Sequence, residues 1–247
     1  MTATLLARFL EWDTQFFGVR IASLRASALP LEALRRELDG CREQRIRCVY
    51  LLSDIADGVT HRAAEPLGFH LVDVRVTLDV RFDAAPMLAR SLERVRPAKP
   101  ADVPALRAIA AACHGDSRFY ADEHFDRERC DALYATWIER SCGGWADRVF
   151  VAELDGRPAG YLSCHLRDDG RGEIGLVGVA SNAVRQGLGR ELVSAGLRWF
   201  GEHERHYVTI ATQGKNLAAQ RLYQSAGFQT KSLELWHHLW LPAGSNP

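Results

Sequence analysis

Two stretches of this 247-residue chain carry residue types and spacings that can do chemistry. The first is Val184-Arg185-Gln186-Gly187-Leu188-Gly189-Arg190, which follows an apolar run and opens an amphipathic helix. Backbone N–H groups at a helix N-terminus lack partners and carry partial positive charge, and glycines let a diphosphate approach them closely. The stretch reads as an anion cradle, or as a strand-to-helix turn that needs glycine. The second is N-x-x-A-x-x-x-Y-x-x-x-G-F, formed by Asn216, Ala219, Tyr223, Gly227 and Phe228. Asn216 suits a helix cap, Ala219 and Tyr223 share one helix face, and Gly227 suits the left-handed residue that ends a helix. Tyr223 is then either a buried packing residue or a phenol placed to give up a proton.

Two familiar phosphate loops are excluded. A Walker loop needs Gly-Lys-Ser/Thr, whereas Gly189 is followed by Arg190-Glu191. A dinucleotide fingerprint needs a small residue where Leu192 stands. A third stretch, Asp116 to Phe125, sets Arg118 beside Phe119 and Tyr120. Such aromatic faces can stack on a base or sugar, and a guanidinium can fork onto a diphosphate, while the plainer reading is an anchored surface loop.

The elements that must position these residues follow from hydrophobic period and punctuation. Asp102 and Pro104 open a helix over 103–112, and 126–140 forms another. Three strands follow, 148–154, 158–166 and 173–179, joined by turns at Asp155-Gly156 and Asp168-Asp169-Gly170. Then come a helix from 187 to about 202, a strand at 207–211, a helix at 216–225 and a last strand at 228–241. In the first part, 31–38 is helical, 48–52 is a strand, 63–67 ends a helix at Gly68, and 69–80 alternates as a strand. Trp12 to Gly18 reads as strand, turn, strand. The segment Arg62–Val80 echoes Arg221–Leu239 when the two Gly-Phe pairs are aligned, with Ala64 standing where Tyr223 stands. Prolines at 86, 97 and 100 mark the expected join, giving an N-terminal α/β domain over 1–90 and a second domain over 91–247.

Composition sets the outer limits. Lysine plus arginine equals aspartate plus glutamate at 31 each, so a nucleic-acid partner is not expected. Only three of the basic residues are lysines, an excess of arginine that codon bias or phosphate recognition could explain. The six cysteines form no C-x-x-C pair, so no metal site is expected, and the reduced-thiol cytoplasm is the expected setting. No apolar run is long enough to cross a bilayer, so no membrane partner is expected.

Together the two motifs and the order of elements from 95 to 241 resemble the GCN5-related N-acetyltransferase (GNAT) family. The resemblance implies an α/β (α+β) fold with a mixed central sheet splayed between its fourth and fifth strands, preceded here by a smaller, truncated GNAT-like α/β domain. It implies acetyl-CoA as cosubstrate. Leu176, Val177 and Val179 would hold the pantetheine arm; Arg185, Gln186, Gly187, Leu188, Gly189 and Arg190 would hold the diphosphate, with Asn216 and Tyr223 completing the site. The family usually has Gln or Arg where Val184 stands, so Arg185 or Gln186 would supply that contact. A backbone N–H near Val177 or Gly178 would polarise the thioester carbonyl, and Tyr223 would protonate the leaving thiolate. Glu173 is the first choice for general base, with His165 as rival and a water relay open to either.

The Asp116–Phe125 loop, the Trp12–Gly18 segment and the two-part layout are similar to the dTDP-fucosamine (dTDP-4-amino-4,6-dideoxygalactose) N-acetyltransferases. That narrower likeness implies a nucleotide-linked amino sugar as acceptor, with Arg118, Phe119 and Tyr120 touching it, and a homodimer is among the assemblies it allows. The competing expectations are an acetyltransferase for another small amine, an antibiotic or a protein N-terminus, and a non-catalytic acyl-CoA-binding regulatory module.

Overall fold

The computed structural model describes residues 6–25, 27–83 and 91–242. In chain order the elements are β1 (Arg8–Phe9), α1 (Glu11–Phe17), β2 (Ile21–Arg25), α2 (Leu31–Glu43), β3 (Cys48–Asp54), α3 (Gly58–Ala64), β4 (His70–Arg81), β5 (Val95–Pro97), α4 (Val103–Cys113), α5 (Arg118–Ala121), α6 (Arg127–Arg140), β6 (Arg148–Leu154), β7 (Arg157–Leu166), β8 (Gly172–Val179), α7 (Leu188–Glu202), β9 (Tyr207–Gln213), α8 (Leu217–Ser225) and β10 (Gln229–Trp240). Contacts divide the chain into two compact units. One comprises Met1–Arg75, Arg118–Phe125 and Ser232–Pro247, the other Val76–Ser117 and Asp126–Lys231. The expected join at 81–100 falls partly on residues 84–90, outside the described residues.

In the first unit β2 runs parallel to β3, from Ile21 opposite Cys48 to Arg25 opposite Leu52. β3 also pairs antiparallel with β10, from Glu234 opposite Asp54 to Trp240 opposite Cys48. Leu34, Leu38 and Cys41 fall on one face of α2 and pack with Leu24, Val49, Leu51 and Leu239. Each fully buried leucine contributes roughly 1.5–3 kcal/mol of transfer free energy, so this stripe fixes α2 on the sheet.

The Trp12–Gly18 segment is a helix rather than strand, turn, strand. Trp12 and Phe16 stack at 5.0 Å, one turn apart, and the Gly18 N–H donates to Thr14 O with Gly18 in the left-handed region. Thr14 Oγ1 also accepts from the Ile21 N–H, tying the helix to the start of β2. Those i, i+4 aromatics and the glycine stop are helical signals that a reading of flanking apolar residues as strands passes over.

The Arg118–Phe125 segment is held by Asp122, which is buried. Its carboxylate accepts from His238 Nδ1 (2.7 Å), Trp240 Nε1 (2.9 Å) and the His124 N–H (3.1 Å), and pairs with His124 Nδ1 (2.9 Å). Burial alone would raise the Asp122 carboxyl, but these hydrogen bonds hold it well below the usual carboxylate range. Phe119 and Phe125 pack on Phe17 beneath it.

The second unit is built on an antiparallel run, β5–β6–β7–β8, with α7 against β6, β7 and β8 through Leu192, Val193, Leu197 and Phe200. α4 packs on α6 and on β7 and β8. β9 lies beside the 76–81 part of β4, where the Phe82 N–H donates to His206 O. β8 and β9 are parallel, and their pairing stops after Gly172–Val208, Glu173–Thr209 and Ile174–Ile210. The mixed sheet therefore opens between its fourth and fifth strands counted from β5.

The internal echo extends to local structure. Asp57 caps α3 by accepting from the Thr60 N–H, and Asn216 caps α8 by accepting from the Ala219 N–H. Gly68 (φ 84°) and Gly227 (φ 83°) then take the left-handed conformation, each followed by a buried phenylalanine and a 12-residue strand.

Asp122→Ala leaves the His238 and Trp240 donors unpaired in a buried setting, a loss of about 1–3 kcal/mol per donor. The Asp122 contribution is complete above the unfolded carboxyl pKa of about 4 and is lost as pH falls below it. His238, pushed down to about 4 by burial, adds a loss that begins as the unfolded histidine protonates near pH 6.5. Urea midpoints should therefore fall steadily from pH 7 to pH 4, and the variant should lie below wild type at pH 7. Equal midpoints at pH 7 would remove Asp122 as the anchor.

Candidate active site

The loop expected to cradle an anion lies in the second unit. After β8, residues Ser181–Ala183 make a 3-10 turn, Val184 is extended, Arg185 takes φ 63° and Gly187 φ 85°, and α7 begins at Leu188. The left-handed Gly187 aims the first amides of α7 out of the helix. The N–H groups of Arg190 and Glu191 already bond Gly187 O, which leaves the Leu188 and Gly189 N–H groups at the helix mouth. Arg94 holds this loop from behind. Its guanidinium pairs with the buried Glu191 through Nε (3.0 Å) and Nη2, and Nη2 also donates to Gln186 O (2.9 Å). Neither Arg94 nor Glu191 stands out in the sequence, because they are ordinary charges far apart in the chain.

In front of the cradle lies a cleft of about 670 Å³. Val177, Val179, Arg185, Gly187, Leu188, Gly189, Arg190, Asn216 and Tyr223 all line it. Of the other expected contacts, Leu176 lines a neighbouring cavity instead. The Gln186 side chain turns back to Asn182 O at 3.3 Å, so Arg185 is the member of that pair that faces the cleft. Val184 is 49% exposed on the same wall.

The neighbouring cavity, about 170 Å³, sits where β8 and β9 part. Its walls include Gly175, Leu176 and Val177 from β8 and Ile210 to Gln213 from β9, and it shares Cys113, Val177, Asn216, Ala219 and Tyr223 with the larger cleft. The register of β7 and β8 shifts between Leu162 and Cys164, and Ser163 Oγ accepts the Leu176 N–H there (2.9 Å). The Ala180 N–H bonds Ala159 O on the same side. Strand N–H groups alternate in direction, so those of Val177 and Val179 face away from β7, into the opening. Of the two oxyanion donors left open by the sequence, Val177 has the required direction.

Tyr223 is buried, and burial raises its phenol above the ordinary value. It is fully protonated at neutral pH, a donor and not a base. Glu173 stands elsewhere. It lines neither cavity, and Arg167 grips it through Nε (3.0 Å) and Nη2 (2.7 Å). Burial raises the Glu173 carboxyl, but the Arg167 hydrogen bonds and charge bring it below the usual range. His165 is 4% exposed and packs on Trp145, with its basicity lowered first by burial.

The sequence gives no hint of His114. It lies just past α4, its ring stacked on Tyr134 at 4.2 Å and its Nε2 2.7 Å from Tyr161 Oη, and it lines the smaller cavity with Tyr223. Burial pushes its pKa down to about 4, so the ring is neutral at pH 7.

The remaining expected contacts belong to the first unit. The Arg118 guanidinium lies over Tyr50 (4.3 Å), Trp236 (4.0 Å) and Phe119 (4.5 Å), and its Nη1 has no hydrogen-bond partner. Phe119 is 3% exposed, so its ring is committed to the core and presents no face to a ligand. Tyr120 is partly exposed. Among the described residues no cluster of metal-ligating side chains occurs, and no helix is long and apolar enough to cross a membrane.

Comparison with known proteins agrees with this geometry. Residues 105–228 match the model of the Acetyltransferase (GNAT) family. The chain is 30% identical over 232 residues to a dTDP-fucosamine acetyltransferase of Escherichia coli, covering 92% of this chain and 95% of the relative. It is 26% identical over 144 residues to the spore coat polysaccharide biosynthesis protein SpsD of Bacillus subtilis, covering 58% of this chain and 50% of that protein. The crystal structure of a GCN5-related N-acetyltransferase from Sphaerobacter thermophilus superposes with a TM-score of 0.64 at 18% identity, covering 95% of this chain and 76% of that one. With the cradle, the strand opening and the Tyr223 helix all inside the matched region, this chain belongs to the GNAT acetyltransferase family.

Proposed function

We propose that the chain transfers the acetyl group of acetyl-CoA to the primary amine of a nucleotide-linked amino sugar of the dTDP-4-amino-4,6-dideoxyhexose type. The observation that carries the acetyl-transfer chemistry is the parting of β8 from β9, which leaves a strand edge, a helix-mouth cradle and a protonated Tyr223 around connected cavities. The acceptor class is supported by the likeness to the dTDP-fucosamine acetyltransferase over nearly its whole length.

The residues present fit acetyl-CoA. The Leu188 and Gly189 N–H groups, with Arg185 and Arg190 beside them, suit a diphosphate, and the outward amide of Val177 suits an amide-bearing arm laid along β8, while that of Val179 meets the Cys113 sulfur. Bound acetyl-CoA supplies an activated acyl group on sulfur. The Val177 N–H stabilises negative charge on the carbonyl oxygen, an electrostatic effect worth about 2.7–4 kcal/mol in comparable sites. Tyr223 gives its proton to the sulfur that leaves. A thiol is more acidic than a phenol, about 8.5 against 10, and burial makes the Tyr223 phenol weaker still, so the proton moves only as the C–S bond breaks onto a thiolate whose basicity the same dry site raises. Arg118 is proposed to contact the anionic part of the acceptor, since a guanidinium can fork onto a diphosphate.

Free-thiol release should be measured with acetyl-CoA against a panel of amines that includes a dTDP-4-amino-4,6-dideoxyhexose. The expected result is a kcat/KM for the sugar nucleotide well above that of simple amines, amino acids or peptide N-termini. Higher turnover of one of those would replace the acceptor. Tyr223→Phe should lower kcat by about 100-fold or more while the Kd for CoA changes little, and unchanged kcat would remove Tyr223 as the acid. Arg94→Met should loosen the cradle and weaken CoA binding about tenfold, which is about 1.4 kcal/mol, without shifting the pH dependence of kcat. An unaltered Kd, measured by calorimetry, would show that the loop keeps its shape without Arg94.

A further inference from the structure

Acetylation of an amine requires that a proton leave the attacking nitrogen, and the described residues around the smaller cavity offer few groups to take it. No carboxylate lines this cavity. Tyr134 and Tyr223 are phenols, and burial raises the Cys113 thiol, so it too is protonated at neutral pH. His114 is the one wall residue with a neutral, accepting ring nitrogen at pH 7.

Its surroundings select which nitrogen that is. Nε2 lies 2.7 Å from Tyr161 Oη, and Tyr161 Oη lies 3.8 Å from Cys113 Sγ. If Nε2–H donates to Tyr161 Oη, the Tyr161 hydroxyl is free to donate to Cys113 Sγ, and all three groups are satisfied. Nδ1 then carries the lone pair. It makes no hydrogen bond among the described residues, and it is not among the side-chain atoms sealed from solvent without a partner. The Tyr134 ring, stacked at 16° to the imidazole, stops it from turning over.

We propose that His114 takes the amine proton in acetyl transfer, through Nδ1, and that Tyr161 sets the tautomer that makes this nitrogen the acceptor. This rests on the acetyl-transfer reading of the same site. As the nitrogen–carbon bond forms, His114 Nδ1 takes the proton that this nitrogen sheds. As the carbon–sulfur bond breaks, Tyr223 protonates the sulfur, and the electron pair of that bond stays on sulfur. The imidazolium then loses its proton to solvent and the phenolate regains one, so no other reactant is needed. A weakly basic ring suffices, because a nitrogen already bonded to the acyl carbon holds its proton far less tightly than a free ammonium does. The groups that face the ring are Cys113 from α4, Tyr134 and Trp137 from α6, Tyr161 from β7 and Tyr223 from α8, and none is charged at neutral pH. Glu173 has the separate task of holding Arg167.

The test compares wild type, His114→Ala, His114→Gln and Tyr161→Phe by thiol release with the best amine from the panel, at saturating amine and across pH 4–9. His114→Ala should lower kcat about 100-fold with the Kd for CoA unchanged, and added imidazole should restore part of the loss. Tyr161→Phe should lower kcat about tenfold and shift the acid limb of the wild-type profile, which should lie near pH 4 and not near 6.5. His114→Gln keeps the polar volume and serves as the reading if the alanine variant does not fold; it should be as slow as His114→Ala. If wild type is active and both His114 variants turn over within threefold of it, the proposal is overturned. It is also overturned if their loss comes with neither imidazole rescue nor a change in the pH profile. If wild type releases no thiol with any amine, the failure lies with the acetyl-transfer reading and not with His114.

Discussion

The site depends on one broken register. Among the described residues β8 and β9 are parallel neighbours for only three residue pairs, and from Gly175 onward β8 has no strand on that side. An unpaired strand edge in a protein interior leaves amides and carbonyls unsatisfied, which costs free energy unless something pairs with them. Here the cost is confined to a few groups because β7 still pairs with β8 along its other edge, from Leu162 opposite Val177 to Gly160 opposite Val179. The register shift beside Ser163 bends β8 at the point where it leaves β9, and Ser163 Oγ takes up the Leu176 N–H that the shift would strand. Gly175 and Gly178 fit this bend for steric reasons. A side chain at 175 would meet His165 and Ser163, and one at 178 would meet Cys113 and Tyr161. The glycines of β8 are thus space-filling constraints as much as flexible ones.

Electrostatics in the cleft are local. A chain with equal numbers of acidic and basic side chains has no general field to gather an anion, so affinity for one must come from groups placed within a few ångströms. The left-handed Gly187, the first amides of α7, and Arg185 and Arg190 provide these. The same holds for arginine over lysine elsewhere. Arg94 reaches a carboxylate and a carbonyl from one side chain, and Arg96 bridges Asp102 and Glu153, both of which use the planar fork that lysine lacks. Other arginines sit in exposed pairs such as Arg35–Glu32 and Arg198–Glu202, which contribute little.

What could be read from sequence was what local rules encode. The Asn216 cap, the Tyr223 face and the Gly227 stop lie within one helix, and the cradle lies within one turn, so period and residue type suffice. The regular strands and helices of the second half were legible for the same reason. The Trp12–Gly18 helix was misread because seven residues give too short a period to separate helix from strand, and its deciding contact, the Ile21 N–H on Thr14 Oγ1, lies beyond it. For Phe119 the sequence leaves a stacking face and an anchored loop both open, because a loop between helices carries no period at all; its burial is set by Phe17 and Tyr50, distant in the chain. Glu173 ranks first as general base in the sequence because nothing local shows its clamp, Arg167, which sits across a turn. Asp122, Arg94 and His114 were invisible, since each acts through a partner 47 to 118 residues away.

That last group shows a division of labour in the fold. Residues with a fixed place in a motif are those proposed to meet the diphosphate, the arm and the leaving sulfur. Residues such as His114 are placed by tertiary packing between α4, α6 and β7, and the sequence motif does not constrain them. The proposed acid and the proposed proton acceptor therefore come from parts of the structure with different degrees of freedom. The acid is fixed by the cap-to-stop geometry of α8, whose Asn216 cap and Gly227 stop set the rotation of the Tyr223 face. The proposed proton acceptor is held by a ring stack and a single hydrogen bond, fewer constraints than the cap and stop that hold the helix of Tyr223.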